Sequence, residues 1–544
     1  MVRKRNVKSV RQTIDGRIWN HPIVNLDRVG EVAIFFEGRE IKAYENETVA
    51  AALYANGLRI FSRSFKYHRP RGFFCAIGKC SSCMMTIDGL PNIRTCVTQV
   101  RDGMRIERQS SFPNVDHDIL NVIDKLDYFS ISSGFYHKKL IKPSLLRNFY
   151  LNTMARSIGL GRLPEDSHRD DPLRLGTVTM NVEIAVIGGG PAGLMAALEA
   201  GRLSRNVVII DDKSRLGGQL VKQTHRFFGA SKHYAGTRGI RIADELSTAI
   251  SNQKSITSLI NTRAFGIFEG KIIGTVQNDK LLKIHAKKII VTTGAYERTL
   301  VFENNDLPGV YGAGGVQTLM NTYGVKPGSK VLIVGSGNVG LILAYQLLQS
   351  GVEVLAVVEA MPTIGGYAVH AMKVRRYGVK FMLRHTIIRA LGHKRVDGAI
   401  IAKLDDAWQP IKGTEEIVKC DTICIAVGLI PTYELVQQAG AKLKFSGELG
   451  GFVPLRTKHM EVADGIYVAG DISGIEEATT AMLDGQIAGL HASLKIKHGD
   501  DDVKRRIQEL LEELDAVRDG PFGVKIKEGL AKVLINEGSL TDSA

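Results

Sequence analysis

VEIAVIGGGPAGLMAALEA, residues 182–200, decides how the rest of the chain is read. An apolar strand runs into Gly188-x-Gly190-x-x-Gly193, and Pro191 and Ala192 open a helix directly behind the turn. Glycines at these spacings allow a tight turn and close backbone approach, and the helix N-terminus then faces a pyrophosphate. The next strand, VVIIDD (207–212), ends in Asp211, 23 residues after Gly188, where a carboxylate meets a ribose hydroxyl. A merely structural glycine turn explains the glycines but not the carboxylate.

The pattern occurs twice. VLIVGSGNVGLILAYQLLQSG (331–351) carries Gly335, Gly337, Asn338 and Gly340, and VEVLAVVEA (352–360) delivers Glu359 24 residues after Gly335. Two such units are the organisation of a two-dinucleotide flavoprotein. An acid at the second strand end favours NAD over NADP, because it repels a 2′-phosphate. Another adenine nucleotide such as ATP, or an empty fold that keeps its glycines, stays open for this second loop.

Further segments assign FAD to the first loop. KKIIVTTGAYERTL (287–300) is expected to end a strand at Thr293-Gly294, and DGIYVAGDISG (464–474) another at Gly470-Asp471. RLGGQL (215–220) places Gly217, Gly218 and Gln219 along the flavin. Ala264 and the helix start at Ala478 and Thr479 complete the expected set. The FAD domain is thus discontinuous, 181–303 and 420–495, with a second nucleotide domain over 304–419.

Upstream, FFCAIGKCSSCMMTIDGLPNIRTC (73–96) holds four of the six cysteines. Cys75-x4-Cys80-x2-Cys83, followed by Cys96, is the spacing of a plant-type [2Fe–2S] ligand loop, and Gly78 lets the backbone curl around the sulfides. Zinc loops usually offer two C-x2-C pairs, and only one exists here. VAIFFEGREIKA (32–43) reads as two strands around a turn, and YENETVAAALYANGLRI (44–60) as a capped helix ending near Gly57. The fold class expected is α/β and α+β: a β-grasp ferredoxin-like domain over 28–108, then a double Rossmann-like flavoprotein. A basic arm (1–27), a connecting segment (109–180) and a helical tail (496–544) fill the remainder, and DDVKRRIQELLEELDAV (501–517) is the amphipathic part of that tail. Cys420 and Cys424 sit too far apart along one strand to pair and read as buried structural residues.

Composition narrows the compartment and the partners. The chain of 544 residues carries a formal charge of +15, with its bases dispersed among acids except in SRSFKYHRPRG (62–72). Dispersed charge argues against nucleic acid as the partner and suits an acidic protein or an anionic membrane surface equally. No window has the roughly 18–20 apolar residues of a membrane span. The N-terminus has no apolar stretch of a secretory signal, and clustered cysteines suit a reducing compartment. A cytoplasmic protein, soluble or membrane-peripheral, is expected.

FSRSFKYHRPRG, the four cysteines, GLPNIRTC (89–96) and GFYHKKL…ARSIGLGRLPE (134–165) together resemble the α subunits of heteromeric sarcosine oxidases. They also resemble dye-linked proline and opine dehydrogenases and hydrogen cyanide synthase. Two departures count. Sarcosine oxidase α chains generally lack the cluster cysteines and continue into a folate-binding region, and opine-type subunits often carry a second cysteine-rich module near the C-terminus. The proline, opine or related amine branch therefore fits better. The resemblance implies an electron-handling subunit whose partner is an FAD-containing β subunit of the D-amino-acid-oxidase type. It also implies a hetero-oligomer, FMN at the subunit interface in some members, and a quinone, ferredoxin or dye as electron acceptor. Consistent with this, no His or Glu stands out as a general base among the flavin motifs. The competing expectation is a self-contained NADH-dependent FAD/[2Fe–2S] reductase.

Overall fold

The structure, a computed structural model of the whole chain, describes residues 15–26, 28–65, 67–109, 111–122, 124, 147–148, 161, 177–227, 234–277, 280–497, 500–520 and 523–540. Apart from 147–148 and 161, the stretch 134–165 lies outside the described residues, as does 1–14 of the basic arm. The chain divides into two compact units, Met1–Arg169 with Thr299–Val427 and Asp170–Arg298 with Gly428–Ala544.

In the first unit, Glu31–Phe36 and Arg39–Tyr44 pair antiparallel, and Glu31–Phe36 also lies parallel to Arg105–Glu107. Met84–Ile87 and Leu90–Arg94 extend this five-stranded sheet. The helix Val49–Ala55 packs on it with all seven residues buried, because its sequence VAAALYA has no polar face to expose. Thr48 caps that helix by accepting from the Ala51 N–H, and Gly57 leaves it with a positive φ of 91°. The arm's Arg17 is buried, and its Nε donates to Glu47 Oε1 at 2.7 Å. Arg28 joins the same carboxylate at 2.9 Å.

A second sheet of the same unit is wholly parallel, in the order Val310–Gly312, Thr422–Ile425, Lys330–Val334, Glu353–Glu359 and Lys380–Leu383. Both sheets share one core. Tyr54, Phe61 and Phe73 from the first pack in the same cluster as Tyr311, Leu319 and Leu347 from the second. The buried Tyr54 and Tyr311 hydroxyls lie 2.5 Å apart. Gly315 is required at this seam, since a Cβ there would stand 2.2 Å from the Phe74 carbonyl. Cys420 and Cys424 are buried and form no disulfide, and the strand Thr422–Ile425 contains only the second.

The second unit is built on a sheet ordered Ile256–Leu259, Val207–Ile210, Thr177–Ile187, Lys280–Val291, Ile272–Gln277 and Thr262–Phe268. Its first four strands run parallel and the last two return antiparallel. Ile466–Val468 joins Lys280–Val291 in parallel. The helices Pro191–Leu203 and Ala478–Lys497 cross at close range: a Cβ on Gly485 would stand 2.1 Å from the Ala192 carbonyl, and one on Gly489 2.4 Å from that of Ala196. The amphipathic stretch forms the helix Asp501–Val517, capped by Asp500, and buries Val503, Ile507, Leu510 and Leu514. Behind it comes a further helix, Gly523–Val533, whose Leu530 and Val533 pack with Leu449 and Val453. No helix among the described residues is long and apolar enough to cross a membrane.

Candidate functional site

The four cysteines of 75–96 converge. Cys75, Cys80 and Cys83 lie on a loop before the strand Met84–Ile87, and Cys96 sits in a short turn over Thr95–Val97. Left-handed backbone at Ala76 (φ 57°) and Gly78 (φ 71°) curls the loop, and a Cβ on Gly78 would press on Val97 at 3.2 Å. The Cys80 N–H points at Cys75 Sγ, 3.5 Å away. Cys75 is hydrogen-bonded by the thiols of Cys80 and Cys96 and by the Ile77 and Cys80 N–H groups, which together drive its own thiol far below the usual range. Hydrogen bonding to Cys96 and Thr95 lowers the Cys83 thiol as well. None of the six cysteines forms a disulfide. Hydrogen bonds link Cys75 to Cys80 and Cys96, and Cys83 to Cys96; three of the four side chains are buried, and backbone N–H groups meet Cys75, Cys80 and Cys83, which fits a centre that takes four thiolates.

In the basic, aromatic stretch just upstream, Arg63 and His68 are buried and Arg71 is paired. Arg63 donates through Nε to the Val115 carbonyl at 2.8 Å, and buried His68 pairs with Asp118 at 2.7 Å. Arg71 meets Asp306 at 2.9 Å.

At the first glycine loop, three glycines have three different reasons. Gly188 has φ 112°, and a Cβ there would meet the Thr292 carbonyl at 2.4 Å. A Cβ on Gly193 would lie 1.8 Å from the Gly188 carbonyl, so the helix closes on the turn only without one. Gly190 is the exception: its Cβ would meet nothing nearer than Gly218 Cα at 3.9 Å. The protein's own packing does not demand that glycine, and its space is what a ligand approaching the Pro191 helix start needs. Asp211 follows the strand Val207–Ile210, and its Oδ2 accepts from the Gly189 N–H at 2.6 Å. Burial pushes its carboxyl up to about 6.

Gly217 (φ 118°) donates to the Gly189 carbonyl, and Gly218 lies so close to Gly190 that a Cβ would stand 2.6 Å from its Cα. Gln219 follows in the short helix Gly218–Lys222. Ala264 sits at a bulge in the edge strand Thr262–Phe268. The strand Lys280–Val291 ends two residues before Thr293-Gly294, because the Thr293 hydroxyl turns to donate to the Thr432 carbonyl and Gly294 takes φ 66°. Gly470 (φ 78°) and Asp471 follow Ile466–Val468, and desolvation pushes the Asp471 carboxyl up to about 7. Ala478 and Thr479 begin the long helix behind them. All these residues belong to the second unit.

The other loop, in the first unit, repeats this construction. Gly335 has φ 109° and meets the Ala426 carbonyl, a Cβ on Gly340 would stand 2.2 Å from the Gly335 carbonyl, and Gly337 has open space. Asn338 opens the helix Asn338–Gln349 and accepts from the Tyr367 N–H at 2.8 Å. Glu359 Oε2 accepts from the Ser336 N–H at 2.8 Å and from its hydroxyl at 2.7 Å, and Oε1 from the Met361 N–H. Gly365 and Gly366 close over it as Gly217 and Gly218 do over the first, with the Gly366 N–H donating to the Ser336 carbonyl at 2.9 Å. Reading each motif separately misses this pair. Aligning the two loops finds it, since the Gly-Gly step recurs about thirty residues past each first glycine.

Residues 30–111 match the family described as 2Fe-2S iron-sulfur cluster binding domain. The sarcosine oxidase subunit alpha of Rhizobium meliloti is 31% identical over 460 residues, 81% of this chain and 44% of that protein. Hydrogen cyanide synthase subunit HcnB of Pseudomonas aeruginosa is 28% identical over 336 residues, 58% of this chain and 72% of that one. The chain thus spans less than half the length of the sarcosine oxidase subunits it matches. In fold, the crystal structure of L-proline dehydrogenase from P. horikoshii superposes over 90% of this chain and 79% of its own, with a TM-score of 0.61 and 24% identity. Residues 182–485, more than half of the chain and including both glycine loops, match the pyridine nucleotide-disulphide oxidoreductase family, to which this chain therefore belongs.

Proposed function

We propose that this chain is the electron-handling subunit of a heteromeric dehydrogenase of amines or imino acids, of the proline, sarcosine, opine or glycine type. The observation that carries the reading is the presence, in one chain, of four convergent thiols and two dinucleotide loops. In this reading Cys75, Cys80, Cys83 and Cys96 hold a [2Fe–2S] cluster within a module over 28–108. The segments 181–303 and 420–495 hold FAD, and 304–419 holds NAD or another adenine nucleotide. Bound there, FAD would supply the chemistry of taking up two electrons as one hydride and passing them on singly, which is what a one-electron cluster requires.

The chain's own residues supply position and charge. The Pro191 helix start and the open face of Gly190 receive the pyrophosphate, and Asp211 and Asp471 present carboxylates to hydroxyls. The amine itself is oxidised on a partner, an FAD-containing β subunit of the D-amino-acid-oxidase type, with FMN at the interface and a quinone, ferredoxin or dye as acceptor. The relatives named as subunits of an oxidase and of a synthase support a hetero-oligomer. A cytoplasmic setting, soluble or at a membrane surface, goes with it.

Cys80→Ser tests the proposal in the purified complex. The variant is expected to lose iron and acid-labile sulfide, keep FAD and its partner, and still undergo single-turnover flavin reduction by amine. Its steady-state transfer to acceptor should fall sharply. Unchanged turnover without iron overturns the relay, and isolation of the native chain as a homomeric enzyme with full amine dehydrogenase activity overturns the subunit assignment.

One observation favours a second reading, a self-contained NADH-dependent reductase: the second loop keeps Gly335, Gly340 and Glu359 in the arrangement of the first. It requires dye reduction by NADH with the chain alone at roughly 1–1000 per second. A trickle removes it.

A further inference from the structure

We infer that Arg518, on the C-terminal helical segment, is a positioning residue of the FAD site, neutralising the buried carboxylates that hold the Gly470-Asp471 turn. The inference rests on the FAD reading above and adds the C-terminal segment to that site.

The turn is held by acids. Asp484, buried in the long helix Ala478–Lys497, accepts through Oδ2 from the Gly470 N–H and from the Ser473 hydroxyl, both at 3.3 Å. The Glu476 N–H donates to Asp471, so its side chain enters the same neighbourhood. Three carboxylates, Asp471, Glu476 and Asp484, therefore crowd one buried turn. Desolvation first, and repulsion from the neighbouring acids second, disfavour the charged forms of Asp471 and Glu476.

Two arginines oppose them. Arg518, 8% exposed, forks onto Glu476 through Nε at 2.9 Å and Nη2 at 2.6 Å, and its Nη2 stands 3.8 Å from Asp484 Oδ1. Arg456 is buried to 2% and feels Asp484 and Glu476 as attractive charges and Arg518 as a repulsive one. Asp515, one turn before Arg518 on the same segment, also favours the Arg518 charge. Three acids face two bases. Removing Arg518 leaves a deeper negative imbalance in a place where an unpaired charge is costly, and the cheapest remedy is a proton on one carboxylate.

The fold makes this a task of the C-terminal segment. Arg518 follows the helix Asp501–Val517, and the backbone of Arg456 exchanges hydrogen bonds with Val533, the last residue of the next helix, and with Ile535 just past it. Both cations are thus fixed where that segment docks, a segment that begins some thirty residues past the turn it serves and places Arg518 47 residues past Asp471.

Fluorescence titration of the apoprotein with FAD from pH 6 to 8.5 tests this. Arg518→Met should bind FAD about 10-fold or more weaker at pH 8 and recover to within about 3-fold at pH 6, where a proton replaces the guanidinium. Arg518→Lys, which keeps the charge without the fork, should restore the flat pH profile. Should Arg518→Met fail to fold, the charge-balanced Glu476→Gln/Arg518→Met must fold and bind FAD. Equal affinity of wild type and Arg518→Met at pH 8, or failure of the balanced double variant as well, overturns the inference. A wild-type chain that takes up no FAD at all instead overturns the reading on which it rests.

Discussion

The two glycine loops are nearly superimposable in logic and differ in what surrounds them. Each has a first glycine pressed on a neighbouring carbonyl, a third that admits the helix, and a middle one left open. Each has an acid at the following strand end that caps an N–H inside the loop, Asp211 on Gly189 and Glu359 on Ser336. Only the first is joined by a further carboxylate at a strand end, Asp471, and by a 20-residue helix whose Gly485 and Gly489 let it press on the loop's own helix. Asp211 is buried, whereas Glu359 is half-buried. The lesson is that the glycine motif provides a cradle for a dinucleotide, and the surroundings decide how much more of the ligand is enclosed.

The widest gap between the loops should come from their third glycines. Gly193→Ala pushes a methyl to 1.8 Å from a carbonyl. It is expected to cost about 3 kcal/mol or more and to abolish FAD content, while Gly340→Ala leaves FAD bound and removes adenine-nucleotide binding. Flavin absorbance and calorimetry with NAD and ATP measure both. If Gly340→Ala also strips FAD, the loops do not act separately.

The middle glycines give a cleaner comparison, because a Cβ there meets open space. Gly190→Ala and Gly337→Ala should each melt within about 2 °C of wild type yet weaken their own ligand about 10-fold or more. Unchanged affinity in both would mean that no phosphate approaches these turns. Next in size, Glu359→Gln should weaken NAD by about 5–50-fold, from the loss of a charge-assisted contact, and narrow the preference over NADP. FAD content should not move.

Smallest is a pH effect confined to the first loop. Asp211 and Asp471 have carboxyls raised to about 6 and about 7 by burial, so the folded apoprotein holds protons that the unfolded chain releases near pH 4. Their contribution to stability is full below that and is lost as pH rises through 6 and 7. Asp471→Asn should therefore raise the apo melting temperature by about 2–4 °C at pH 8 and change little at pH 5. Differential scanning calorimetry of the flavin-free chain reads this directly, and equal shifts at both pH values would refute it.

What could be read from the sequence was what short range decides. Glycine spacing, the acid one strand later and the cysteine loop each depend on residues within about 25 positions, and the helix Asp501–Val517 follows from its apolar periodicity. Helix Gly523–Val533 was hidden inside a tail that reads as polar, since only Leu530 and Val533 of its apolar side chains are buried and their partners lie some eighty residues earlier. SRSFKYHRPRG looks like an outward basic patch because its acids, Asp118, Asp124 and Asp306, come from elsewhere in the chain. The Arg518–Glu476 pair is invisible for the same reason: each is an ordinary surface-type residue until tertiary packing buries both.

The seam at Tyr54 and Tyr311 has a consequence for how the protein is made. The cysteine module leaves the ribosome first, but the residues that cover its Tyr54 and Phe73 face follow more than two hundred positions later. At 5–20 residues per second, that face waits roughly 12–50 s for its cover. During this interval the nascent module presents a bare apolar surface beside four thiols, which makes chaperone capture and metal delivery competing events on the growing polypeptide.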